Sequence, residues 1–167
     1  MKSLNCAVLT ISDTRTERDD TSGALLAQLL SADGHQLADR AVVKDDIYRI
    51  RATVSAWIAD EAIQVIVTTG GTGFTGRDST PEALAPLFDK HISGFGELFR
   101  QISYADIGAS TIQSRAVGGL ANATLIFALP GSSNAVRTGW EQILGPQLNI
   151  DTRPCNFVEL IPRLRER

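Results

Sequence analysis

A three-layer α/β sandwich around a mostly parallel central sheet is what this sequence predicts, on three observations. Strand-like runs and helix-like segments alternate from one end of the chain to the other, which is the pattern of a layered α/β fold. The runs "LNCAVLTI" and "QVIVTT" are apolar or β-branched with little polar alternation, as strands buried on both faces are. Turn-forming residues close these runs, so the loops gather at the carboxyl edge of the sheet, where open α/β folds bind ligands.

The elements follow in order. Leu4–Ile11 is the first strand, ended by Ser12-Asp13-Thr14. "TSGALLAQLLSADG" is a helix: Leu25, Leu26, Leu29 and Leu30 recur at helical spacing, Thr21 or Ser22 caps the start, and Gly34 suits the position just past the end. "HQLADRAVV" is the second strand, followed by Lys44-Asp45-Asp46. "DIYRIRATVSAWIADE" is a helix with Ile47, Ile50, Val54, Trp57 and Ile58 on one face. "QVIVTT" is the third strand, and a glycine-rich loop follows it. Thr80-Pro81-Glu82 starts another helix, with a hydroxyl to cap it, proline at the first helical position and an acid in the first turn. "GFGELFRQISYADIG" reads as a helix whose apolar face of Phe95, Leu98, Phe99 and Ile102 belongs to the core or a subunit interface. "SRAVGGLANATLIFALPG" holds two strands with a Gly-Gly/Asn turn region between them. "SSNAVRTGWEQILGPQL" is a final long helix, with Val136, Trp140, Ile143 and Leu144 inward.

Composition removes several function classes. The chain of 167 residues has no linker, repeat or low-complexity segment and is expected to form one domain over 1–167. Its 16 basic and 19 acidic residues give a net charge of −3, so neither nucleic acid nor a membrane surface is an expected partner. No apolar run approaches the roughly 20 residues of a membrane span, and Leu4–Ile11 lacks the charged flank and cleavage site of a signal peptide. A cytoplasmic protein is expected. Cys6 and Cys155 lie far apart and suggest buried thiols rather than a disulfide or zinc framework.

The stretch "VTTGGTGFTGRDSTPEA", Val67 to Ala83, carries the chemistry. Gly71, Gly73 and Gly76 match G-x-G-x-x-G, but a dinucleotide fold places that motif after the first strand with a helix starting inside it. Here it follows the third strand, the helix waits until Thr80, and Asp89, near the spacing of a ribose-binding acid, is expected at a helix end. Gly71 and Gly76 also have P-loop spacing, but Arg77 and Asp78 stand where lysine and Ser/Thr belong. What remains is an anion site: glycines let backbone N–H groups approach a phosphate, a helix N-terminus adds its dipole, and Arg77 can pair with the charge. Asp78 makes sense there as a ligand of Mg²⁺ shared with substrate phosphates. "LPGSSNA", Leu129 to Ala135, is a second strand-to-helix turn at the same edge and points to a phosphate-rich ligand.

The chain resembles the molybdopterin adenylyltransferase family of molybdenum cofactor biosynthesis, and its B-type bacterial branch most closely. The resemblance is carried by "ISDT", "DDTSG", "TTGGTGFTGRDSTPEA", "GFGELFRQIS", "SRAVGG", "LPGSSNA" and, for the branch, "TRPCNF". It implies a fold of the molybdopterin-binding-domain type assembled as a trimer or hexamer, with other enzymes of the pathway as possible partners. It implies a reaction in which molybdopterin is adenylylated by ATP with Mg²⁺, giving pyrophosphate. By the same resemblance Asp45 and Asp78 are the catalytic, metal-holding acids, with Asp46 either the alternative to Asp45 or a plain helix cap. Gly70, Gly71, Thr72, Gly73, Arg77, Gly131, Ser132 and Asn134 fall to the nucleotide, and Ser12, Asp13, Thr80, Pro81, Ser114 and Arg115 to molybdopterin. His35 directly follows a helix-ending glycine and His91 follows a helix, so both are expected to be structural or surface residues, in keeping with an ionised phosphate nucleophile that needs no strong base. The alternative is a molybdopterin-binding or scaffold protein without turnover.

Overall fold

A computed structural model of the protein describes residues 2–166. A six-stranded sheet runs in the order β2-β1-β3-β6-β5-β4. Its strands are β1 (Asn5–Ile11), β2 (Gln36–Val43), β3 (Val65–Thr69), β4 (Lys90–His91), β5 (Val117–Ala121) and β6 (Thr124–Leu129). The pairs β1–β2, β1–β3 and β3–β6 are parallel, while β5 pairs antiparallel with both β6 and β4. The sheet is therefore mostly parallel, as its apolar runs demand: every residue of β3 and of β6 is buried.

The helices are α1 (Thr21–Ala32), α2 (Ile47–Ala59), α3 (Thr80–Leu84), α4 (Ser93–Ile107), α5 (Ser133–Gly139), α6 (Gly145–Gln147) and α7 (Phe157–Leu160). Two hydrophobic clusters make the layers. Alternate strand residues Val8, Val65, Val67, Leu125 and Phe127 pack against Leu26, Leu30, Phe99 and Trp140, while Leu9, Ile66 and Ile126 pack on the other face against Ile50, Val54, Trp57 and Leu84. The period-2 alternation of strand side chains sends β1, β3 and β6 into both clusters.

Several local features differ from the sequence expectations. The cap of α1 is Asp20, whose carboxylate accepts from Gly23 N–H at 2.9 Å, from Thr10 Oγ1 at 2.7 Å and from Arg40 Nη2 at 2.8 Å. Thr21 and Ser22 are already inside the helix. The β5–β6 turn is Asn122-Ala123, both at positive φ, and Gly118 and Gly119 lie within β5. A Cβ on Gly119 would sit 2.3 Å from the Phe88 ring, so close packing explains that glycine. Asp89 immediately precedes the edge strand β4 instead of ending a helix, and its carboxylate accepts from Asn122 N–H. The helix after β6 widens into a π-turn over Trp140–Leu144 before α6. Pro146 has no N–H with which to continue the α ladder. That helix remains the last long one, since only the four-residue α7 and a 3-10 turn follow.

Cys6 is buried and Cys155 exposed, so only one of the expected buried thiols is one. Burial pushes the Cys6 thiol up to about 12. Native protein at pH 8 is expected to take up one equivalent of a maleimide, at Cys155, and two in denaturant; mass spectrometry of the labelled peptides checks this. The two histidines fit their expected structural roles: His35 is buried with Nδ1 accepting from Leu4 N–H at 3.3 Å, and His91 lies on the edge strand against Phe88.

Candidate functional site

Four loops meet at the carboxyl edge of the parallel strands, as the strand order requires. They follow β1 at Ser12, β2 at Lys44, β3 at Gly70 and β6 at Pro130. The β3 and β6 turns touch. Gly70 N–H donates to Leu129 O at 2.9 Å, Thr69 Oγ1 donates to Pro130 O at 3.0 Å, and a Cβ on Gly131 would lie 3.3 Å from Gly70 Cα. Gly70 has φ +104° and Gly71 φ +67°; a Cβ on Gly70 would lie 2.1 Å from the backbone oxygen of Ile11. Only glycine meets both conditions there.

These two turns line one side of a cavity of about 480 Å³. Gly70, Gly71, Thr72, Gly73 and Asp78 come from the glycine loop, and Gly131, Ser132 and Asn134 from the second turn. The opposite wall is α4 and the 3-10 turn after it, contributing Ser103, Asp106, Ser110 and Ser114. Sequence reasoning missed Ser103, Asp106 and Ser110. Ser103 and Asp106, at i and i+3 on a helix read only for its apolar face, were the available signal; Ser110 lies beyond Gly108 in the 3-10 turn and gave none. Asp106 accepts from Asn134 Nδ2 at 2.7 Å and so joins the two walls. Ser114 Oγ is buried and has no hydrogen-bond partner among the described residues, a group suited to serve a ligand.

The two acids singled out by sequence flank the glycine loop. Asp78 Oδ2 accepts from Thr75 N–H at 2.9 Å and Thr75 Oγ1 at 2.7 Å. The Thr75 hydroxyl, foremost, holds the Asp78 carboxyl below its usual range, so it is ionised. Asp45 is 7% exposed and Oδ1 accepts from both Ser79 N–H and Ser79 Oγ. Burial raises its pKa against that hydrogen bonding, and the nearby charges of Asp78 and Asp13 add to the rise. Asp45 Oδ2 lies where a Cβ on Gly71 would come within 2.6 Å of it. Asp46 faces away: its Oδ1 accepts from Tyr48 and Arg49 N–H as the cap of α2. Of the two adjacent acids, only Asp45 is at the loop. Among the described residues no group of three or more His, Cys, Asp or Glu could hold a metal.

The remaining expected residues have scaffold positions. Arg77, expected to meet a phosphate, donates Nε and Nη2 to Asp13 at 2.8 Å each, and neither residue lines the cavity. Asp13 also accepts from Asp45 N–H, while its backbone oxygen accepts from Lys44 Nζ, so it ties three loops together. Ser12 Oγ accepts from Thr14 and Arg15 N–H. Thr80 Oγ1 is buried and donates to Gly70 O at 2.9 Å, so it fastens the glycine loop instead of capping α3. Pro81 begins that helix. Arg115, outside the cavity wall, donates Nε to Gly73 O at 2.8 Å and Nη2 to Asp78 O at 2.9 Å.

The Asp13 carboxyl is lowered to about 2, first by hydrogen bonding from Arg77. Its folded pKa lies below the ordinary value of about 3.9, so the pair contributes above that value and is lost as pH falls through about 2. A carboxyl ¹³C titration is expected to give a midpoint near 2, returning toward about 4 in Arg77→Gln. An ordinary midpoint in the wild-type chain would contradict the bidentate pair.

Residues 7–150 match a protein family described as "Probable molybdopterin binding domain". Over 151 residues the chain is 58% identical to "Molybdenum cofactor biosynthesis protein B" of Escherichia coli (strain K12), covering 90% of this chain and 89% of that protein. A solved structure of "Molybdenum cofactor biosynthesis protein B" superposes with a TM-score of 0.85 at 48% identity, over 88% of this chain and 92% of that one. The "tungsten cofactor synthesizing protein MoaB from Pyrococcus furiosus" superposes with a TM-score of 0.79 at 40% identity, over 86% and 92% of the two chains.

Proposed function

The chain belongs to the molybdopterin-binding-domain family of molybdenum cofactor biosynthesis, and from that premise we propose that it adenylylates molybdopterin with ATP and Mg²⁺. The observation that carries this reading is the meeting of two backbone turns on one cavity of about 480 Å³, with the ionised Asp78 in its wall. Two phosphate-bearing substrates need two cradles, and the Gly70–Gly73 and Gly131–Asn134 turns supply them side by side.

The terminal phosphate oxygen of molybdopterin attacks the α-phosphorus of ATP. A new O–P bond forms, the bond from the α-phosphorus to its β-bridging oxygen breaks, and pyrophosphate leaves. The nucleophile is already ionised at neutral pH, so the chain has to position and neutralise rather than abstract a proton. This agrees with His35 being committed to Leu4 N–H and His91 lying on the edge strand. Asp78 and Asp45 are the residues that would hold Mg²⁺, whose bound charge would neutralise the triphosphate. Two carboxylates, with no third His, Cys, Asp or Glu grouped with them among the described residues, suit an ion that takes most of its ligands from water and phosphate. The backbone of Gly70 to Gly73 orients the triphosphate, Ser132 and Asn134 bound it on the second turn, and Ser114 Oγ faces molybdopterin with its hydrogen-bonding capacity unspent. The same reading places the protein in the cytoplasm as a homo-oligomer, trimer or hexamer. Among the described residues no helix is long and apolar enough to cross a membrane.

One observation favours a second reading. Arg77, the cation expected on the triphosphate, is committed to Asp13, as it could be in a relative that binds molybdopterin without turnover. Pyrophosphate release from Mg-ATP, measured anaerobically with and without molybdopterin, separates the two. Release that depends on molybdopterin supports the transferase. Tight molybdopterin binding without release favours the binding protein.

A further inference from the structure

We propose that Arg115 is a positioning residue of the nucleotide site, setting the polarity of the glycine loop by drawing three of its carbonyl oxygens out of the cavity. The inference rests on the reading of that loop as a triphosphate cradle. It assigns Arg115 to the loop in place of the molybdopterin contact that family resemblance implies.

The geometry is a clamp built from a single residue. Its backbone N–H donates to Thr72 O at 3.0 Å, Nε to Gly73 O at 2.8 Å and Nη2 to Asp78 O at 2.9 Å. Nη1 pairs with the Glu82 carboxylate on α3, and the guanidinium lies 5.1 Å from the centroid of the Phe74 ring. Thr72, Gly73 and Asp78 line the cavity but Arg115 does not. The guanidinium therefore sits behind the wall, and the carbonyls bonded to it point outward.

That orientation matters chemically. A backbone cradle for phosphate works by turning N–H groups toward the anion. A carbonyl turned inward presents negative partial charge to the same anion. Gly71, Gly73 and Gly76 leave the loop free to rotate its peptide planes, so sequence alone does not choose the orientation. Arg115 chooses it, because a planar fork bonds carbonyls five positions apart, Gly73 and Asp78, at once. Lysine, a point charge, satisfies one at a time. The Arg115–Glu82 pair is half exposed on the glutamate side and contributes little by itself.

The test uses the full chain as wild type, Arg115→Met, Arg115→Lys and Glu82→Gln. KM for Mg-ATP and kcat are measured alongside the Kd for molybdopterin. Arg115→Met is expected to raise KM for ATP by about tenfold or more while the molybdopterin Kd stays within about twofold, since charged-donor bonds to two carbonyls are lost. Glu82→Gln leaves all three carbonyl bonds and is expected to keep every constant within about twofold. A loss falling on molybdopterin with ATP unchanged overturns the proposal in favour of direct contact, and so do unchanged constants.

Arg115→Lys serves where the methionine variant does not fold. Its readout is independent of turnover: amide hydrogen exchange over residues 71–78 in the ligand-free protein, expected about tenfold faster than wild type. Unchanged exchange overturns the tether. If wild type binds no ATP at all, the adenylyltransferase reading falls, and the exchange result alone decides the role of Arg115.

Discussion

Asp78→Asn is expected to lower molybdopterin-dependent pyrophosphate release by about 10²-fold or more, the scale of removing one preorganised electrostatic group at a reacting centre. The molybdopterin Kd should change by less than about threefold, because the substitution keeps the side-chain volume and one acceptor oxygen for Thr75. Asp78 is the glycine-loop acid in the cavity wall, and hydrogen bonds from Thr75 hold it ionised. Measuring kcat at saturating ATP, with the Kd from anaerobic titration of molybdopterin, checks both halves. Retention of wild-type kcat would remove Asp78 from the chemistry. Asp45→Asn makes a sharper comparison. Asp45 Oδ1 accepts from both Ser79 groups, and burial already raises its pKa. Neutralising it relieves part of that burial cost, so its loss of activity should come without loss of thermal stability.

Gly70→Ala is expected to destabilise the fold by about 2–5 kcal/mol, combining left-handed backbone strain with overpacking. The new Cβ would lie 2.1 Å from Ile11 O, at φ +104°. Ile11 O belongs to the end of a central strand, and a strand backbone has little room to yield. In a chain of this size each kcal/mol lowers Tm by about 2–4 °C, so differential scanning calorimetry should see a shift of several degrees or more. Gly76→Ala, in the same loop, is the control. Nothing lies within 4 Å of its added Cβ and its φ is not positive, so a change within about 0.5 kcal/mol is expected. Equal effects at both positions would show that the loop's glycines are not distinguished by local packing.

Which features were legible in the sequence follows from range. The first strand, both long helices on either side of the second strand, and the third strand were readable because their signals are local: apolar runs, helical spacing, and a glycine at the end of α1 with φ +81°. The glycine loop and the turn after β6 were readable for the same reason. The cap of α1 was misread because Asp20, Thr21 and Ser22 are all good caps by residue type. The choice fell to Asp20 because only its carboxylate also meets Thr10 and Arg40, groups contributed by β1 and β2. The strand β4 carries no periodic signal, having two residues held by pairing to β5.

By itself the sequence determined the layered fold, the edge of the sheet at which the site lies, and that Asp78 and the glycines of its loop gather there. Periodicity and turn chemistry act over a few residues and survive without knowledge of partners. Only the tertiary structure decided what each side chain does once it arrives. It put Asp45 against the loop and Asp46 on a helix end, although the two are adjacent and chemically identical. It spent Arg77 on Asp13, turned Thr80 inward to Gly70, and brought Arg115 across 42 positions to Gly73. It also made α4, with Ser103 and Asp106, the far wall of the cavity. Those outcomes depend on which strand ends lie side by side, and strand order is set by burial summed over the whole chain rather than by any short stretch of it.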